Sequence, residues 1–227
     1  KDNMEQGSID VNIMTKLDKA NYLKGEQLPQ DMNDAHAALR GFANSDLEAG
    51  VILSAGLSPR LYSYVANFDV FFPDENEQIK KRIILKVSDY RSALVQGKFL
   101  AKKGIWVSEY RIESGLNCGG HAFATDGYLM GPILEEFKQK KQELIEQVHG
   151  VLNESLKGMG RKSLSKPLDM WVTAQGGVGT ANEHNLFLDN YGVDIVGWGT
   201  PFLLVPEAIN IDANSFKILS ENNTLFK

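Results

Sequence analysis

Six short apolar runs, rich in Val and Ile and without polar alternation, punctuate this chain: Ile9–Met14, Val51–Ala55, Ile83–Val87, Ile105–Ser108, Met170–Ala174 and Val193–Gly197. Runs of this kind suit a sheet covered on both faces, where neither side of a strand meets water. Helical patterns separate them, at Asp31–Ala43, Pro59–Phe68, Ser88–Lys103, Gly131–Leu156 and Ala181–Asn190. Several carry start signals: Ser58 before Pro59, with proline at the first helical position, and Ser88-Asp89 ahead of the third. Strands alternating with helices predict βαβ units and a parallel sheet.

Two folds compete for that pattern. An open dinucleotide-binding sheet wants a glycine-rich turn after its first strand, and Thr15-Lys16-Leu17-Asp18 contains no glycine. The glycines cluster instead after the last two strands, where (β/α)8 barrels hold phosphate. The expectation is therefore an α/β chain folded as a (β/α)8 (TIM) barrel, a single domain over 1–227. A closed barrel needs eight strands, so the absent ones are expected upstream of Lys1, which makes the chain a fragment of a longer protein.

Composition narrows the function classes. A net charge of -5 disfavours a nucleic-acid surface. Lys80-Lys81-Arg82, a short run of positive charge, reads as a solvated face. The single cysteine, Cys118, allows no internal disulfide and points to a reducing, cytoplasmic setting. No apolar stretch approaches the roughly 20 residues of a membrane span, and the polar N-terminus lacks a signal-peptide core.

Two glycine-rich segments carry the first functional signal. Ala174-Gln175-Gly176-Gly177-Val178-Gly179-Thr180 follows one strand, and Gly197-Trp198-Gly199-Thr200-Pro201-Phe202 follows the next. Backbone N–H groups can cradle a phosphate where no Cβ blocks its approach, and Thr200 can add a hydroxyl donor. Taken singly, either loop is equally suited to a tight strand-to-helix turn.

The second signal is Cys118-Gly119-Gly120-His121, which follows a strand and so belongs to the catalytic end of a barrel. The two glycines bring the His121 imidazole over the mouth, where it can act as general base or hydrogen-bond donor. Cys118 reads either as a nucleophile activated by His121 or as a small residue packed beneath the loop. No metal-ligand spacing is present. His36 and His149 fall in helical patterns and read as surface residues, and solvent exposure is the expectation for His184.

With these residues in place, the chain resembles the nitronate monooxygenase superfamily, formerly the 2-nitropropane dioxygenases, from about Ile9 to Ala208. Its members are FMN-dependent barrels and include the flavin-dependent enoyl-acyl-carrier-protein reductases. The resemblance rests on Val11-Asn12-Ile13-Met14, Ser54-Ala55-Gly56-Leu57-Ser58-Pro59, Leu85-Lys86-Val87-Ser88, Cys118-Gly119-Gly120-His121 and the two glycine loops. It implies FMN as cofactor, held by Asn12, Lys86, Gln175, Gly176, Gly177, Gly199 and Thr200, with His121 the catalytic base. Lys86 reads, from the residues alone, equally as a strand-end lysine reaching solvent. The departures are the lack of the family's first strand, a long connection over Glu109–Asn117, and Gln175 at a position that is often small.

The resulting expectation is an FMN-dependent oxidoreductase. His121 removes a proton α to an electron-withdrawing group of a small substrate, and dioxygen reoxidises the flavin. The alternatives are an NAD(P)H-dependent enoyl reductase of lipid or polyketide synthesis and a phosphate-binding lyase or isomerase without flavin. Neither nucleic acid nor a membrane is an expected partner, and the sequence is compatible with a homo-oligomer.

Overall fold

A computed structural model of the chain describes residues 9–13, 15, 19–54, 56–113, 130–176, 178–199, 205, 207, 210 and 212–221. Six strands form one all-parallel sheet: β1 (Val11–Asn12), β4 (Gly50–Leu53), β5 (Arg82–Val87), β6 (Val107–Glu113), β7 (Trp171–Gln175) and β8 (Ile195–Gly197). Their order across the sheet is their order along the chain. Each step from one to the next passes through a helix: α1 (Asp34–Ala43), α2 (Pro59–Val65), α3 (Tyr90–Ala101), α4 (Met130–Gly158) and α5 (Ala181–Asp189). A dinucleotide-binding sheet reverses its strand order at a switch point. This sheet has no reversal and curls as half a barrel does. A further helix, α6 (Ala213–Glu221), follows β8, and a small antiparallel hairpin, β2 (Tyr22–Leu23) and β3 (Glu26–Gln27), precedes α1.

Outer-face residues alternate along the strands and meet the helices. Ile83, Leu85 and Val87 of β5, Tyr110 and Ile112 of β6, and Val172 and Ala174 of β7 join one core with Leu39, Leu61, Leu100, Phe137 and Val148. Each fully buried aliphatic or aromatic side chain contributes about 1.5–3 kcal/mol, so this layer holds the helices to the sheet. Helix starts are set by local chemistry: the side chains of Asn33, Asp89 and Thr180 accept from His36 N, Ser92 N and Glu183 N. Pro59 does open α2, but the Ser58 side chain makes no capping bond.

Several sequence expectations need correction. The strand expected at Ile105–Ser108 runs as Val107–Glu113, so Glu109–Glu113 is sheet and not connection. Charges alternate there with Tyr110 and Ile112, and an inner face that carries charge breaks the apolar run from which a buried strand is recognised. Lys81 is not solvated: it is 0% exposed, and its ammonium donates to the carbonyl oxygens of Phe42 and Ser45 at the end of α1. That position suits a cation, because the last carbonyls of a helix are unpaired and carry its negative end. His36 is buried too, with Nδ1 2.7 Å from the Asn33 carboxamide oxygen and its ring against Tyr64. The hairpin has no counterpart in the sequence pattern, since Lys24-Gly25 is a weak turn signal between two-residue strands.

Candidate active site

Register places the polar residues of the sheet. In one row, Asn12, Ile52, Ile84, Glu109 and Trp171 are successive partners; in the next, Lys86, Arg111, Thr173 and Ile195; and Glu113, Gln175 and Gly197 come last. Paired residues of a parallel sheet share a face. These rows therefore line the face opposite the helices, and Lys86, Glu113 and Gln175 stand at its carboxyl end. In α/β sheets ligands bind outside the carboxyl ends of the strands.

The side chains make two linked groups. The Glu109 carboxylate, 4% exposed, accepts through Oε1 from Arg111 Nε at 2.8 Å and from Thr173 Oγ1 at 2.6 Å. Beside them Lys86 Nζ lies 3.6 Å from Glu113 Oε2, both residues being buried. That Glu113 oxygen has no hydrogen-bond partner among the described residues. Four ionisable side chains are thus held together on one largely buried face, an expensive arrangement unless each is paired or used. Register explains the pairing: Lys86 and Arg111 are direct partners, and Glu109 and Glu113 flank Arg111 at two-residue spacing on β6.

The residues expected at the site divide three ways. Lys86 and Gln175 share this face near Glu113, and Asn12, exposed, lies on the same face at the end of β1. Gly176 is buried, with its N–H given to Gly197 O at 3.0 Å, and Gly199 is exposed with open space where a Cβ would point. His121, Gly177 and Thr200 lie outside the described residues, as does Cys118. In the first glycine loop, Glu183 turns back to accept from Gly179 N at 2.9 Å and Thr180 N at 3.0 Å, the capping box of α5. As folded, a carboxylate already occupies these donors.

His184 is half-buried rather than exposed, and Trp198 Nε1 donates to its Nδ1 at 2.8 Å. This bond joins the helix after the first glycine loop to the end of β8, and it leaves Nε2 to carry the proton of the neutral ring. Glu109 and Thr173 were missed from sequence; the signal was the period-two alternation of Glu109, Arg111 and Glu113. A cavity of about 240 Å3, lined by Arg82, Trp106 and Trp171 among others, opens toward the amino ends of the strands.

Among the described residues no group of three or more His, Cys, Asp or Glu could hold a metal ion. No described helix is long and apolar enough to cross a membrane. No protein family's sequence profile matches the chain, and no curated protein is significantly similar to it.

Proposed function

We propose that the curled sheet belongs to a (β/α)8 barrel and that the chain is an FMN-dependent oxidoreductase of the nitronate monooxygenase type. The observation that carries this reading is the placement of Asn12, Lys86 and Gln175 on one face of a parallel sheet whose strands keep chain order. Gln175 offers both a donor and an acceptor, and Lys86 a cation, to the polar edge of a flavin. The described residues fit that edge. The phosphate end is less complete, because Gly176, Gly179 and Thr180 already spend their N–H groups on protein acceptors.

Bound FMN would supply a two-electron acceptor that dioxygen can reoxidise. The chain's own contribution is to orient the substrate, exclude water and remove a proton at His121. Oxygen consumption with a small alkyl nitronate tests the reading: turnover that requires FMN supports it, and no turnover with FMN bound rejects the nitronate assignment. Bleaching by NADPH without nitronate turnover would move the chain to the enoyl reductases.

One observation favours a second reading, a lyase or isomerase without flavin. The buried Lys86–Glu113 pair at a strand end is an acid and a base in contact.

A further inference from the structure

We infer that Arg111 is an anion-binding residue, built to hold the planar carboxylate of a small ligand that also carries a hydroxyl or amine donor. Arg111 is anchored through Nε, which donates to Glu109, and Thr173 fixes the same carboxylate oxygen from the neighbouring strand. Among the described residues the Arg111 side chain hydrogen-bonds only through Nε, and it keeps 19% of its surface exposed. A guanidinium anchored through Nε presents its two terminal nitrogens as a rigid fork, the geometry that matches a carboxylate bidentately. Lys86, its register partner, stands beside it in the same row, with its own charge balanced by Glu113.

Glu113 points to a ligand independently of Arg111. It is 9% exposed, and its Oε2 faces Lys86 Nζ at 3.6 Å, beyond hydrogen-bond length, so its charge is balanced while its lone pairs accept no hydrogen bond among the described residues. Arg111 and Glu113 stand two residues apart on one face of β6, roughly 7 Å along the strand. A ligand that reaches both carries its donor a short chain away from its carboxylate. Hydroxy and amino acids of three or four carbons have that shape. Apolar ligands and bare inorganic anions satisfy only part of it.

This inference rests on the carboxyl-end face being the ligand site, but it does not require flavin. The test is ligand-observed NMR titration of the protein, with and without added FMN, using 3-hydroxypropionate, propionate and 3-hydroxypropionamide. The expected order of affinity is 3-hydroxypropionate, then propionate, with the uncharged amide weaker than 3-hydroxypropionate by about tenfold or more. Arg111→Gln should remove that preference for charge, and Glu113→Ala should make propionate and 3-hydroxypropionate equal. Thr173→Val, which leaves every charge in place, should weaken carboxylate binding several-fold by loosening Glu109. Equal binding of acid and amide by the unmodified protein overturns the inference without recourse to any variant, as does no saturable binding of 3-hydroxypropionate. FMN uptake, read from its colour in the same samples, separates failure of this inference from failure of the flavin reading.

Discussion

The Tyr110 hydroxyl lies over the Cα of Gly97, in the space a Cβ would fill, and has no hydrogen-bond partner among the described residues. Strand β6 and helix α3 meet here through the tyrosine, with Val148 of α4 beside it. Burial raises the pKa of this phenol far above its ordinary value, so it stays neutral at any working pH. Gly97→Ala is expected to cost about 1–3 kcal/mol by overpacking. Tyr110→Phe removes an unpaired buried hydroxyl and should be neutral or stabilising by up to about 1 kcal/mol. Urea unfolding of both single variants and the double variant checks the relationship. The alanine should cost less when Tyr110→Phe is already present, and simple additivity would contradict the contact.

Lys81 ties the start of β5 to the end of α1. Lys81→Met leaves the carbonyls of Phe42 and Ser45 without this donor and should lower stability by about 1–3 kcal/mol. Burial, helped by Lys80, holds the Lys81 pKa below its ordinary 10.5. The unfolded chain then binds this proton more tightly than the folded one, so the lysine's contribution rises with pH between its folded value and 10.5. The stability gap between the parent and Lys81→Met should widen over that alkaline window. A gap that narrows there would contradict the assignment.

Glu183 competes with any phosphate for the N–H groups of Gly179 and Thr180. Glu183→Ala should cost about 1 kcal/mol of stability by uncapping α5. If this loop receives the FMN phosphate, the same substitution should tighten FMN binding several-fold, since a carboxylate no longer has to be displaced. Stability and affinity falling together would place the phosphate elsewhere.

His121→Ala is expected to retain FMN and lose turnover by about 10²–10⁴-fold, the usual contribution of a positioned general base. Steady-state rates with a nitronate check it, and an unchanged rate would remove His121 from that role.

The strand–helix alternation and the parallel sheet were legible because the outer-face residues of β4, β5 and β7 are Val, Ile, Leu and Ala, and these patterns survive without any partner in view. The carboxyl half of β6 was not legible in that way. Glu109, Arg111 and Glu113 resemble a polar connection until Thr173 and Lys86 are brought beside them, and those partners lie 64 residues on and 27 residues back from their nearest contact. Lys81 failed for the same reason: its acceptors sit 39 and 36 residues earlier, at a helix end that local sequence cannot bring to the lysine. Strand-end position and family resemblance together single out Lys86 and Gln175. Glu113, the neighbour of Lys86, has the sequence pattern of a loop residue, and only the register of β6 brings the two together.

FMN binding is tested most directly by a visible-absorption titration of the purified protein with FMN, followed by denaturation to count the flavin released. A flavin site on this face gives a perturbed flavin spectrum that saturates near one FMN per chain and weakens when Lys86 is replaced by Met. A flavin spectrum unchanged by the protein, with no flavin retained after desalting, would contradict it and leave the acid–base pair of Lys86 and Glu113 to a reaction without flavin.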